Sequence, residues 1–224
     1  MGRAGFDWLV LDLEHGSATE ADLLALVLAV ETTGCATVVR PQSAERLRVG
    51  RALDTGAAAI MLPQLRTVDE VRAALPFLRY PPAGVRGVAL RTRGAGMGSL
   101  GHADVARVVN ERIVGIVQVE APAIVEAADE VAALDGVDVL FVGPADLTHA
   151  LGVPGQFDDD RYVASLRTVV AAATRHGRAA GILLYDPADL PSHLELGFRF
   201  IGLGSEGSFV SAGARSTLAA AGRG

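Results

Sequence analysis

The sequence predicts a (β/α)8-type barrel, built as a single domain over residues 1–224. Three observations carry that expectation. β-branched apolar runs alternate strictly with helix-patterned segments, the signature of a parallel sheet wrapped by helices. The units recur every 20–30 residues or so, a spacing that fits a barrel better than an open dinucleotide-binding sheet. No Gly-x-Gly-x-x-Gly pattern follows the first strand, and Gly94-Ala-Gly-Met-Gly98 follows no clear strand and has the wrong spacing. Seven units are readable where a closed barrel wants eight. Either the short Gly87–Leu90 run supplies the eighth strand, or the first strand–helix unit is missing from this chain.

The first strand is expected over Phe6–Asp12, followed by a helix opened by a Ser17–Glu20 capping box and stopped at Gly34. Ala36–Arg40 is the second strand, ended by Pro41, with a helix from about Ala44 to Thr55. Ala58–Leu62 is the third, and Thr67–Glu70 caps a helix that Pro76 bends or breaks. From Arg79 to Gly101 a glycine- and proline-rich connection reads as a lid or an oligomer arm. The fourth strand, Ile113–Glu120, leads through Pro122 into a helix reaching Leu134. The fifth, Val137–Val142, is followed by Gly143-Pro-Ala-Asp146 and a loop through Asp158, then a helix ending near His176. Ala180–Tyr185 and Phe200–Gly204 are the last two strands, separated by a Pro187–Leu196 helix. A final helix of mostly small residues closes the chain.

Composition excludes several classes of function. The formal charge is −6 and no basic cluster stands out, which argues against nucleic acid or an anionic membrane surface as partner. Cys35 is the only cysteine, so there is no intrachain disulfide and no multi-thiolate metal site. No apolar run is long enough to span a bilayer and no signal-peptide pattern opens the chain, so a cytoplasmic protein is expected. All 20 basic residues counted as Lys+Arg are arginines. Without lysine there is no Schiff-base catalysis and no lysine-linked pyridoxal phosphate.

Polar residues gather where the predicted strands end. Asp12, His15, Arg40, Gln118, Glu120 and Asp146 all lie at or just beyond such an end, and in a barrel those ends converge on one face. Glu120 and Asp146 offer oxygen ligands to a divalent cation, although a helix cap explains each of them equally well when taken alone. Gln118 shares a strand face with Glu120. Arg40 supplies a fixed positive charge, or else half of a structural ion pair, and His15 is a titratable base or a turn residue. Asp54, near the end of a helix, reads as a weak candidate for reaching across a subunit interface.

Five segments in order resemble the HpcH/HpaI aldolase family, which is related to the citrate lyase β subunit. They are Phe6–Gly16, Val38–Pro41, Arg79–Gly87, Val117–Glu120 and Phe141–Thr148, and the similarity runs over nearly the whole chain. The resemblance implies a (β/α)8 barrel of the phosphoenolpyruvate/pyruvate type, truncated at its N-terminus relative to the family and assembling as a homo-oligomer, a trimer or hexamer. It implies a class II aldolase that makes or cleaves 4-hydroxy-2-oxo acids from or to pyruvate and an aldehyde, through an enolate stabilised by Mg2+, Mn2+ or Co2+, with no nucleotide cofactor. Position by position, Glu120 and Asp146 match the metal ligands and Gln118 a residue beside the metal. Arg40 matches the group that steadies the enolate oxygen. His15 with Asp12 matches the acid/base pair, Asp54 a residue serving a neighbouring subunit, and the amides around Ala145 and Asp146 the cradle for the pyruvate carboxylate.

Ala121 stands where the family usually has threonine after the metal glutamate. Gly204-Ser-Glu206 replaces a common Gly-x-Asp, and the Arg91–Leu100 loop lacks the usual aromatic pattern. Two other functions compete with the aldolase reading. One is a metal-dependent CoA-ester lyase or oxaloacetate-type decarboxylase of the same superfamily. The other is a catalytically impaired barrel acting as a binding or structural subunit.

Overall fold

A computed structural model describes residues 1–223. Seven parallel strands form one curled sheet in chain order, consistent with a TIM-type barrel lacking one unit. They are β1 (Trp8–Asp12), β2 (Ala36–Arg40), β3 (Ala59–Leu62), β4 (Val114–Val119), β5 (Val139–Val142), β6 (Ala179–Leu184) and β7 (Phe200–Leu203). Gly87–Leu90 is not a strand, so it does not supply the eighth. The first and last strands are linked by side chains: the Trp8 and Phe200 rings stack 4.2 Å apart and 8° from parallel.

Two apolar layers follow from the period of two along each strand. Trp8, Val10, Val38, Ala59, Met61, Ile116, Val139, Phe141, Leu183 and Phe200 fill the concave interior. The alternate residues, among them Val39, Ile60, Val117, Leu140 and Ile182, form a larger core beneath the helices.

The helices are α1 (Glu20–Glu31), α2 (Arg46–Asp54), α3 (Val68–Ala74), α4 (His102–Asn110), α5 (Pro122–Glu126), α6 (Ala128–Ala133), α7 (Pro144–Ala150), α8 (Asp160–Arg175), α9 (Leu190–Leu196) and α10 (Glu206–Ala220). None is long and apolar enough to cross a membrane. Thr67 and Glu70 form the expected capping box of α3. The box on α1 is Thr19 with Asp22, not Ser17 with Glu20. Glu20 instead accepts from Arg48 and Arg51 of α2. The stretch after β5 is helical, not a loop: Gly143 caps α7 and Pro144 occupies its first turn, where a missing N–H costs nothing. The helix expected from Pro122 to Leu134 divides into α5 and α6 at Ala127.

The Arg79–Gly101 connection is fastened along its length. The amide N–H of Tyr80 donates to Asn110 Oδ1 and the Asn110 side chain donates back to the Tyr80 carbonyl, at 2.8 and 3.0 Å. The buried Arg86 guanidinium lies 4.4 Å over the Tyr80 ring and donates to Asp54 at 2.8 Å. Because α2 ends at Asp54 and β3 begins at Ala59, these contacts lie at the N-terminal edge of the sheet, away from the strand C-termini. As a lid over the strand C-termini, this segment is in the wrong place.

Gly115 in β4 marks a close backbone approach inside the sheet. A Cβ there would stand 2.1 Å from the Gly136 carbonyl oxygen and 2.9 Å from Leu78. Gly115→Ala is therefore expected to cost about 1–3 kcal/mol, as overpacked cores do. Thermal denaturation should show a midpoint lower by several degrees, and an unchanged midpoint would contradict this packing.

Candidate active site

On β1, β2 and β4 the inward-facing row is apolar until its C-terminal end, and there it turns polar. Asp12 continues the Trp8–Val10 row of β1, Arg40 follows Val38 on β2, and Gln118 and Glu120 follow Ile116 on β4. Register places Asp12 directly beside Arg40. Arg40 donates through Nε and Nη2 to the two oxygens of Asp12, at 2.8 and 2.5 Å, a bidentate charged pair. Its Nη1 lies 3.2 Å from Glu14 Oε2. Burial works against the charged guanidinium, but Asp12, with Glu14 and Glu120, outweighs it and raises the pKa, so Arg40 is a fixed cation. Burial likewise pushes Asp12 upward, and the Arg40 bonds together with two backbone amides bring its pKa below the ordinary value. Those amides belong to Glu14 and His15, at 3.0 and 3.3 Å.

Glu120 is buried at the end of β4. Its Oε1 accepts the Gln64 amide N–H and its Oε2 accepts Gln118 Nε2, both at 2.8 Å. Gln64 holds φ at 57°, a left-handed conformation uncommon outside glycine. Burial raises the Glu120 pKa and the Gln64 bond opposes it. The charges of Asp146 and Glu14 raise it further, while Arg40 lowers it. Asp146 is exposed on the first turn of α7, beside β5.

Gln118 Oε1 is buried and has no hydrogen-bond partner. Gly143 leaves room beside it: a Cβ there would lie 3.1 Å from Gln118 Nε2 and 3.4 Å from Glu120 Oε2. No three of His, Cys, Asp and Glu converge among the described residues. Two carboxylates with a spare amide oxygen form an all-oxygen donor set. That set suits a hard divalent ion, which keeps several waters or substrate oxygens as ligands.

The structure thus brings Asp12, Arg40, Gln118 and Glu120 together, with Asp146 close by. His15 joins differently from its expected pairing. Asp12 meets it only through the backbone N–H, while the imidazole, 64% exposed, has Nε2 at 3.9 Å from Glu14 Oε2. Within one chain Asp54 does not join the site, being held by Arg86 at the opposite edge of the sheet. Two neighbours escaped the sequence reading. Glu14 is 8% exposed, and its Oε2 has no hydrogen-bond partner of good geometry. Tyr185 follows Leu183 on the inward face just past β6, with a phenol raised by burial and by Asp146 and lowered by Arg40. The alternation along β6 was the available signal for it.

With this geometry in view, comparison with known proteins is decisive. The family described as HpcH/HpaI aldolase/citrate lyase matches residues 1–212. The chain belongs to that family. It is 36% identical to the hydroxypyruvate/pyruvate aldolase of Paraburkholderia phytofirmans, over 97% of this chain and 85% of that protein. It is 37% identical to the 5-keto-4-deoxy-D-glucarate aldolase of Klebsiella pneumoniae, over 95% of this chain and 82% of that one. A crystal structure of an HpcH/HpaI aldolase/citrate lyase family protein from Burkholderia cenocepacia superimposes with a TM-score of 0.91 at 34% identity, covering 98% of this chain and 87% of that one.

Asp12→Asn keeps the size of the side chain and removes one charge-assisted bond to Arg40. The expected loss is about 1–3 kcal/mol at neutral pH. Because the Asp12 pKa is lowered on folding, this contribution is present above the unfolded value near 3.8 and disappears as pH falls through the folded value. Denaturant titrations should show the gap between wild type and variant closing below that pH. A gap independent of pH would contradict the assignment.

Proposed function

We propose that this family member is a divalent-metal-dependent aldolase that cleaves 4-hydroxy-2-oxo acids to pyruvate and an aldehyde, and runs the reverse addition. The observation that carries the reading is the buried, destabilised Glu120 carboxylate set beside Asp146 and the unpartnered Gln118 oxygen. An accumulation of negative charge with one oxygen left over suits a cation ligand. The aldolase names of the relatives support the reaction class.

Glu120 and Asp146 would hold the cation, which when bound supplies Lewis-acid polarisation of the 2-oxo group. The remaining chemistry falls to side chains. In cleavage His15 takes the proton from the 4-hydroxyl. The oxygen's electrons form the aldehyde carbonyl, the C3–C4 bond breaks, and its electrons move into the pyruvate enolate. Protonation at C3 then gives pyruvate. Arg40 is a preorganised positive charge for the oxygen on which the enolate charge develops, and Asp12 and Glu14 hold its fork from two sides so that it need not reorganise. The N–H groups of Ala145 and Asp146 lie in the first turn of α7, where helical partners are lacking, and would receive the substrate carboxylate. Asp54 would act only from a neighbouring subunit of a homo-oligomer. With no lysine, an imine route is closed.

Exhaustive chelation should abolish pyruvate release from a 4-hydroxy-2-oxo acid, and added Mg2+, Mn2+ or Co2+ should restore it. Activity surviving chelation would refute metal dependence. Glu120→Gln should be at least as stable as the metal-free wild type, because Gln118 can turn its spare oxygen toward the new amide. It should also gain no thermal stability from Mn2+, whereas the wild type does. A variant that Mn2+ still stabilises would contradict the ligand assignment.

A further inference from the structure

Two aromatic side chains stand at the rim of the site, and the packing of the core does not require their exposure. Tyr185 follows β6 at the inward parity of Ala179 and Leu183, so it continues the lining that ends in Gln118 and Arg40 on other strands. Phe157 lies in the connection between α7 and α8, at the same C-terminal edge. Their ring centroids are 5.7 Å apart at a 38° tilt. Phe157 also packs edge-on against Tyr162, 5.7 Å away at 61°, and Tyr162 is buried. The pair is therefore anchored to the body of the protein. Even so, Tyr185 is 55% exposed and Phe157 44%.

Contiguous exposed aromatic surface beside a polar site is the usual form of a ligand contact. Ring faces and edges favour a flat, apolar ligand by stacking and edge-to-face contact. A polyhydroxylated chain would need several converging donors and acceptors, and this wall offers only the Tyr185 hydroxyl. The other half of the substrate, the 2-oxo acid, is already served by Arg40, Gln118 and the start of α7. The free wall therefore faces the remaining half.

We infer that Tyr185 and Phe157 form the acceptor subsite and make this enzyme selective for aldehydes with a planar aromatic body. This inference rests on the aldolase reading above, so its test needs one readout that does not depend on turnover.

Two measurements decide it, on wild type, Tyr185→Leu and Phe157→Leu, which keep apolar volume and remove the ring. The first compares kcat/KM for a 4-aryl-4-hydroxy-2-oxobutanoate with that for a 4-hydroxy-2-oxo acid bearing a polyhydroxylated tail. The aryl-over-polyol ratio should fall about tenfold in each variant, a change of about 1.4 kcal/mol. A ratio that stays level or rises overturns the inference. The second measures benzaldehyde and glyceraldehyde binding by NMR titration without turnover. Benzaldehyde should bind the wild type more tightly and each variant about tenfold more weakly. If turnover is absent but this pattern holds, the aldolase reading fails and the aromatic subsite stands. If benzaldehyde shows no preference in the wild type, the subsite is refuted whatever the activity.

Discussion

Along every strand of this sheet, alternate residues point into the barrel or out to the helices, and that parity decides what the inner surface can be. Inward positions are apolar from the N-terminal edge up to the last two residues of the strand or the one just beyond them. Only there can a charge reach both solvent and its partners. Asp12, Arg40, Gln118, Glu120 and Tyr185 all follow from this constraint, because each is an even number of residues from an interior apolar side chain. A shift of one residue in β1, β2, β4 or β6 would send its polar group into the apolar layer under the helices.

The charges so collected do not cancel locally. Arg40 is shared between Asp12 and Glu14, which leaves little of it to neutralise Glu120. Glu120 is satisfied by two hydrogen bonds yet still disfavoured as an anion, since burial, Asp146 and Glu14 outweigh Arg40. The left-handed backbone at Gln64 is a further local cost kept at this spot. An accumulation of unneutralised carboxylate, strain and an unpartnered amide oxygen is expected where a ligand completes the structure. The single-chain cluster is coherent without Asp54, whose carboxylate is engaged by Arg86 at the far edge.

Much of this was legible in the sequence because it depends on local pattern. Strand alternation placed Gln118 on the side of Glu120, and a charge ending a β-branched run marked Asp12, Arg40 and Glu120. Strand count, order and parallel sense followed from the alternation with helices. What was not legible depends on turns and on contacts distant in the chain. Glu14 belongs to the turn after β1, where side-chain direction follows no period. Tyr185 could have been found by the same parity as the others, but an uncharged residue ending an apolar run draws no notice. The pairing of Asp54 with Arg86, and the fastening of the 79–101 segment around Tyr80 and Asn110, arise only once the chain is folded. The 143–158 stretch reads as a loop in sequence, whereas Pro144 opens the short helix α7, its ring suiting a first helical turn.

The relatives are aldolases with different named substrates, hydroxypyruvate/pyruvate in one and 5-keto-4-deoxy-D-glucarate in another. The central claim is that the ends of β4 and β5 form the seat of one divalent ion. The most direct measurement is an anomalous-scattering map from a crystal of this protein soaked in Mn2+. The account predicts one strong peak per chain within bonding distance of both Glu120 and Asp146. A map with no peak at that position, or with the ion bound elsewhere in the barrel, would contradict it.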